Sequence, residues 1–181
     1  MGGGPRTSAG NRVSATREIT VAHATPSDVP DVVGIERRSF SDPWSADAFH
    51  EALRNPRVHF ACARAAAEVT EGGAGRVLGY VVAWFVLDEG EIANLAVAPE
   101  TRGRGVGSAL LDAALAEAGR RSAKTIYLEV RASNGQARAL YDSRGFVEVG
   151  RRRGYYRRPV EDAVILRHIV DDAGDEGKSE R

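Results

Sequence analysis

The sequence predicts a mixed α/β domain with about seven strands and about four helices. Three patterns predict it. Short runs rich in β-formers recur between residues 18 and 168. Stretches with apolar residues three and four apart lie between them, and proline and glycine turn signals separate the two kinds.

Glu18–Ala22 reads as the first strand. Pro26–Phe40 reads as a helix: Pro26 and Ser27 suit its start, and Val29, Val32, Val33 and Ile35 form an apolar face. Asp42-Pro43-Trp44-Ser45 is a turn, with Ser45 placed to cap a short second helix through about Arg54. His59–Arg64 is strand-like, and residues 71–75 form a glycine-rich loop leading into a strand at Arg76–Leu87. Glu91–Val97 is the next strand, Gly105–Gly119 a helix, and Lys124–Arg131 a strand rich in β-formers. Asn134–Arg144 is a helix closed by Gly145, and Phe146–Tyr156 with Val160–His168 complete the sheet.

The 181 residues suit a single domain spanning 18–168, and 43% hydrophobic content supports a real core. Residues 1–17 carry almost nothing apolar and read as a disordered tail; residues 169–181 read as an acidic, disordered one. No run approaches the roughly 20 apolar residues of a membrane span. The N-terminus lacks a signal-peptide stretch, and Arg6 stands where a myristoylation signal wants Ser or Thr. A single cysteine excludes an internal disulfide, so a cytoplasmic location is expected. Cys62, in an apolar strand with no neighbouring histidine, reads as packing, which disfavours an acyl-cysteine intermediate. The four histidines show no metal spacing, and no metal is expected.

The net charge is zero, yet it is segregated. Residues 18–101 hold 13 acidic against 6 basic side chains, and residues 102–158 hold 13 basic against 5 acidic. This suggests two partners of opposite sign on two surfaces.

The basic segment begins in the most informative stretch, Asn94-Leu95-Ala96-Val97-Ala98-Pro99-Glu100-Thr101-Arg102-Gly103-Arg104-Gly105-Val106-Gly107-Ser108. It runs strand, proline turn, glycine loop, helix. Glycines let backbone N–H groups approach a ligand, and a helix N-terminus directs unpaired N–H groups and a positive dipole end at it. Arg102 and Arg104 add fixed charge. The loop is a phosphate cradle, but neither a P-loop nor a dinucleotide fingerprint, for no Gly-Lys-Ser/Thr follows and Ser108 stands at the third glycine position.

Arg102-x-x-Gly105-x-Gly107 resembles the Gln/Arg-x-x-Gly-x-Gly/Ala loop of the GNAT acetyltransferase superfamily. The resemblance continues through Leu128-Glu129-Val130-Arg131-Ala132-Ser133-Asn134, Ala139-Leu140-Tyr141, Gly145-Phe146 and Arg152-Arg153-Gly154-Tyr155-Tyr156. With Val86-Leu87-Asp88-Glu89 and Pro43-Trp44 it covers roughly residues 18–168 and is similar to the RimI branch, which acetylates the N-terminal alanine of a small-subunit ribosomal protein. One departure is Gly154, where the best-known members have Asn. The resemblance implies a GNAT fold with acetyl-CoA as cosubstrate. The backbone of Leu95, Ala96 and Val97 would meet the pantetheine arm and thioester oxygen. The loop from Arg102 through Gly103, Arg104, Gly105, Val106, Gly107 and Ser108 would hold the pyrophosphate. Asn134 would hydrogen-bond the cofactor while also capping its helix.

Acetyl transfer to an amine needs a neutral amine, a polarised thioester and a protonated leaving thiolate. Glu129 faces away from Ile126, Leu128 and Val130 on its strand. It is a surface carboxylate or, as the resemblance implies, a general base acting through water. An α-amine (pKa about 8) needs less deprotonation than a lysine (about 10.4). Tyr141 is a core residue packed with Leu140 and Phe146, or the general acid beside the sulfur. Pro43 and Trp44 form a buried turn or wall the peptide groove, and the resemblance puts Tyr155 and Tyr156 beside the acceptor peptide.

The expected activity is direct transfer from acetyl-CoA to a protein N-terminal alanine. A GNAT acting on lysine or a small amine, and a non-enzymatic CoA- or RNA-binding module, are the alternatives. Arginines 151–153, 157 and 158 interleave with tyrosines as RNA binders do, yet no nucleic acid or membrane partner is expected. Asp88, Glu89 and Glu91 should attract a cationic N-terminal peptide.

Overall fold

The computed structural model describes residues 19–65 and 75–170. Seven strands form one sheet: β1 (Ile19–His23), β2 (Val58–Ala65), β3 (Val77–Val86), β4 (Glu89–Val97), β5 (Thr125–Arg131), β6 (Val147–Arg157) and β7 (Val160–Ile169). Their spatial order is β1-β2-β3-β4-β5-β7-β6. Four α-helices cover it: α1 (Val29–Ser39), α2 (Ala46–Arg54), α3 (Val106–Arg120) and α4 (Gly135–Asp142). The predicted class and element order are those observed. The expected tails lie outside the described residues apart from Ile169 and Val170, as do residues 71–74 of the expected loop.

Boundaries moved where local chemistry competes with periodicity. Pro26–Asp28 forms a 3-10 turn before α1, where Thr25 and Asp28 make a reciprocal capping box. Ser45 caps α2 by accepting from the Ala48 N–H at 3.2 Å. β4 starts two residues earlier than expected because Leu87 and Asp88 alone make the turn, so Glu89 pairs with Val86. β7 extends to Ile169, and the Val170 N–H donates to the Lys124 carbonyl at 2.9 Å.

Two cores lie on opposite faces. On one, α3 packs Val106, Leu110, Leu111, Ala114 and Ala118 against Val81, Ala83, Ile92, Ile126, Leu128 and Val130. On the other, α1 and α2 pack Val29, Val32, Ile35 and Phe49 against Phe60, Tyr80, Val82 and Ala96. Both faces are covered, so the central strands are apolar throughout, and β2 is buried along its whole length.

All neighbouring strands are antiparallel except β4 and β5. That parallel pairing is short, running only from Glu89↔Thr125 to Ile92↔Leu128. One residue later the β3–β4 register slips, so that Val82 pairs with Asn94 and Ala83 with Ile92, leaving Ala93 as the extra residue of a bulge. The bulge reverses which face each later residue serves. Ile92 belongs to the α3 core; two residues on, Asn94 turns instead toward α1, and Ala96 packs in the α1–α2 core. Beyond Ile92, β4 separates from β5, and a gap opens in the middle of the sheet. Sequence periodicity does not reveal this bulge.

Candidate active site

The gap lies beside the glycine loop. Gly105 is the N-cap of α3 with φ +83°, a conformation that costs a side-chain-bearing residue and that glycine adopts freely. No side chain caps this helix and no acid occupies its first turn. The N–H groups of Val106, Gly107 and Ser108 therefore remain free for an anionic ligand. Gly107 serves a different purpose: a Cβ there would stand 3.3 Å from Leu140 Cδ2, so its absence lets α3 lie against α4.

A cavity of about 550 Å³ opens at this helix start. Leu95, Ala96 and Val97 of β4 form one wall, Arg102, Gly103, Gly105, Val106, Gly107 and Ser108 the floor, and Asn134 with Leu140 the far side. Ten of the eleven residues expected to hold the cofactor line it. Arg104 does not; it is exposed on the loop. Arg102 folds back, its Nε donating to the Val97 carbonyl at 3.2 Å. The Asn134 side chain accepts from the Ala137 N–H at 3.1 Å, capping α4 at the cavity edge. Phe40, Ser39 and Gln136 also line the cavity and carry no sequence motif that marks them. A free N–H row, a basic loop and a cavity of about 550 Å³ with both polar and apolar walls fit a CoA-type cosubstrate.

Glu129 lies on the other face. Its strand alternates as expected, with Ile126, Leu128 and Val130 buried and Glu129 only half-buried. It lines a trough of about 300 Å³ together with Trp84, Val86, Glu89, Glu91 and Arg152. Arg152 Nε sits 2.9 Å from Glu129 Oε1. Hydrogen bonding to Glu129, and then that carboxylate's charge, raise the pKa of the Tyr155 hydroxyl above the usual phenol range. Tyr156 is raised chiefly by burial and then by the Glu129 charge.

Tyr141 is buried, 7% exposed, with its ring 5.6 Å from Phe146. It does not line the cavity, although its neighbour Leu140 does. Burial pushes its hydroxyl well above the usual range, with Tyr156 adding to the rise. The phenol stays protonated at neutral pH.

Pro43 and Trp44 line neither cavity. Pro43 is exposed, and Trp44 packs on the α1–α2 core with its ring 5.6 Å from Phe49. The Trp44 N–H donates to Glu36 Oε1 at 2.9 Å, and the Asn94 amide donates to the same oxygen at 3.1 Å. The Tyr80 hydroxyl donates to Glu36 Oε2. Glu36, 1% exposed, thus ties the α1–α2 loop to the bulged strand, and burial raises its pKa against those three donors.

Arg131 is a second hub that sequence reasoning left without a role. Its guanidinium donates to Ser41 Oγ at 3.0 Å, to the Arg158 and Pro159 carbonyls at 3.2 and 3.3 Å, and to Glu161 at 3.3 Å. It also lies 4.0 Å over the Tyr156 ring. Gly154 takes φ +58°, and its N–H donates to Asp162 Oδ1 at 2.9 Å. Asparagine tolerates that conformation best after glycine, so this backbone accepts either residue, glycine at the lower cost.

Cys62 is fully buried, and burial pushes its thiol up to about 12, so it presents no thiolate for acyl transfer. Among the described residues no three metal-ligating side chains converge, and no helix is long and apolar enough to cross a membrane.

A sheet that parts at a bulge, with a glycine-capped helix start at the opening, defines an acyltransferase of the GNAT type. The chain belongs to the Acetyltransferase (GNAT) family, whose model matches residues 29–146. It is 35% identical over 149 residues to the [ribosomal protein bS18]-alanine N-acetyltransferase of Escherichia coli K12, covering 81% of this chain and 95% of the relative. It is also 35% identical over 162 residues to the N-alpha-acetyltransferase RimI of Mycobacterium tuberculosis, covering 88% and 96%. The crystal structure of the Escherichia coli ribosomal-protein-S18-alanine N-acetyltransferase superposes with a TM-score of 0.74 at 32% identity, over 90% of this chain and all of that one.

Proposed function

We propose that the protein transfers an acetyl group from acetyl-CoA to the N-terminal α-amine of a protein, by direct attack in a ternary complex. The acceptor is the N-terminal alanine of a small-subunit ribosomal protein, as the names of the relatives give for them. The observation that carries the reading is the position of Glu129, a carboxylate in a trough lined by β4 and β5, one residue past the point where the pairing of those strands ends.

Bound acetyl-CoA supplies a thioester whose carbonyl carbon accepts the amine and whose sulfur leaves. The free N–H groups of Val106, Gly107 and Ser108 hold the pyrophosphate. The unpaired edge of β4 from Leu95 to Val97 offers backbone groups to the pantetheine arm and an N–H to the thioester oxygen. Glu129 removes a proton from the attacking amine, directly or through one water. Tyr141, protonated and buried at the α4 side with its ring 5.6 Å from Phe146, donates a proton toward the departing sulfur. Tyr155 and Tyr156 border the entry of the acceptor, and the α1–α2 loop carrying Pro43 and Trp44 closes its other side. Direct attack is consistent with the inert Cys62.

The test is steady-state turnover with an alanine-initiated peptide and the same peptide blocked at its α-amine. Transfer only to the free peptide, with kcat reduced at least about 100-fold in Glu129→Gln and about tenfold or more in Tyr141→Phe, is the expected result. Full turnover in both variants at saturating substrates contradicts the assigned roles. Transfer to the blocked peptide contradicts the assigned acceptor.

A further inference from the structure

Glu36 stands where the packing of α1 calls for an apolar residue. Val29, Val32, Val33 and Glu36 follow at spacings of three and four and share the buried face of the helix. A carboxylate there is desolvated, and its three donors, the Trp44 N–H, the Asn94 amide and the Tyr80 hydroxyl, are all neutral. An aliphatic side chain would fill the position at lower cost. What the carboxylate supplies is direction. Its donors come from three places: the α1–α2 loop, β3, and β4 just past its bulge.

Asn94 is the sole polar side chain between Ile92 and Val97. Lying opposite Val82, it reaches Glu36 Oε1 at 3.1 Å. A one-residue slip of this part of β4 would turn Asn94 to the other face and set Ala93 or Leu95 against Glu36. Two buried polar groups would then lose their partner. The slip would also carry the backbone of Leu95, Ala96 and Val97 along by about 3.3 Å, out of hydrogen-bond reach of a ligand seated for the present register. The oxygen that holds Asn94 also accepts from the Trp44 N–H at 2.9 Å. The end of α1 lies beside both, for Ser39 and Phe40, three and four residues on, line the cofactor cavity.

We infer that Glu36 is a positioning residue for acetyl transfer: its carboxylate pins the β4 bulge at Ala93, and with it the backbone edge offered to the thioester, and fixes the α1–α2 loop that borders the acceptor. This rests on the proposed placement of the thioester on β4 and of the acceptor beside that loop. Glu36 touches neither substrate. It acts through hydrogen bonds that a neutral side chain of the same shape can also make. In Glu36→Gln the amide oxygen accepts from Trp44 and Asn94, and the amide N–H donates to the Tyr80 hydroxyl oxygen.

The experiment measures kcat and KM for an alanine-initiated peptide, Tm, and the dissociation constant of CoA in four variants. Glu36→Gln should keep every kinetic value within about threefold. Glu36→Ala should lower kcat about tenfold or more and raise the peptide KM, while CoA affinity changes less than about threefold, because the α3 cradle is untouched. Asn94→Ala should lower kcat about tenfold and leave the peptide KM within about twofold, because the Trp44 anchor remains. Val32→Ala, a cavity in the same helix face at a residue 0% exposed, should lower Tm and leave kcat within about twofold. If Glu36→Ala does not fold, the Asn94→Ala and Glu36→Gln results decide the matter. Unchanged kcat in Asn94→Ala overturns the inference. So does a Glu36→Gln variant with kcat lowered tenfold or more, which would assign the role to charge, or an equal kcat loss in Val32→Ala, which would make it general destabilisation. Absence of transfer by the unaltered protein overturns the proposed function and this inference with it, whereas normal transfer with any of those three results overturns the inference alone.

Discussion

Arg152 holds Glu129 by an ion pair of 2.9 Å at the mouth of the acceptor trough. The arginine is 57% exposed and the carboxylate 20%, so the charge on the solvent side can swing away while the carboxylate stays seated. The pair orients Glu129 and occupies one of its two oxygens. Removing the guanidinium leaves a negative trough with a less fixed base. Arg152→Ala is expected to lower kcat about three- to tenfold and to lower KM for a basic acceptor, both read from peptide kinetics at low salt. A kcat loss as large as that of Glu129→Gln would show that Arg152 itself touches the reacting atoms.

Gly105 sits at φ +83°, and a Cβ there would meet only Ile19 Cδ1, at 3.9 Å, so alanine encounters backbone strain and little crowding. Gly105→Ala should cost roughly 1–2 kcal/mol of folding stability. It should also raise the dissociation constant for CoA severalfold by tilting the first-turn N–H groups. Calorimetric titration with CoA alone checks this. Unchanged affinity would separate the helix start from pyrophosphate binding.

Arg131 joins the two segments that flank the acceptor entry. Ser41 lies 90 residues away in sequence on the α1–α2 loop, and Tyr156, Arg158, Pro159 and Glu161 belong to the β6–β7 hairpin. Arg131→Ala should destabilise the fold by about 2–3 kcal/mol through lost charged hydrogen bonds and the lost stack on Tyr156. It should raise KM for the acceptor peptide and leave KM for acetyl-CoA close to its original value. Arg131→Lys should restore part of the stability and less of the KM, because an ammonium cannot make the forked contacts. Equal rises in both KM values would contradict a role confined to the acceptor side.

His59 is 4% exposed, and both ring nitrogens are buried without a hydrogen-bond partner among the described residues. Burial lowers its pKa from 6.5 to about 4, opposed by the charge of Glu117. The unfolded chain therefore binds a proton below pH 6.5 that the folded chain refuses until about pH 4. Stability is full above pH 6.5 and falls as the pH drops toward 4, by up to roughly 3 kcal/mol from this one group. Chemical denaturation at pH 7 and pH 4.5 measures the difference. His59→Leu should flatten the slope; an unchanged slope would place the acid sensitivity elsewhere.

Much of this architecture is local and therefore legible in the chain. Runs rich in β-formers mark the strands, Ser45 and Asn134 announce the helix starts they cap, and Ile126, Leu128 and Val130 declare the buried face that leaves Glu129 on the other. The glycine loop from Arg102 to Gly107 states its own geometry. Illegible features depend on partners that sequence spacing does not bring together. The bulge at Ala93 is a property of the β3–β4 register, and nothing in Ile92-Ala93-Asn94 marks it. Glu36 looks like one polar residue on an amphipathic helix until Tyr80, Trp44 and Asn94 converge on it. Arg131 and Arg152 find their partners only once β5, β6 and β7 lie side by side. Pro43 and Trp44 read equally as a buried turn or a groove wall; packing puts Trp44 on the α1–α2 core, and Trp84, which no motif marks, lines the trough.

The central claim is that the acceptor is a protein α-amine. A ten-residue peptide beginning with alanine and carrying one internal lysine, incubated with the protein and acetyl-CoA, tests it directly when fragmentation mass spectrometry locates the product. A single acetyl group on the alanine nitrogen is the expected product. An acetyl group on the lysine side chain, with the α-amine free, would contradict it.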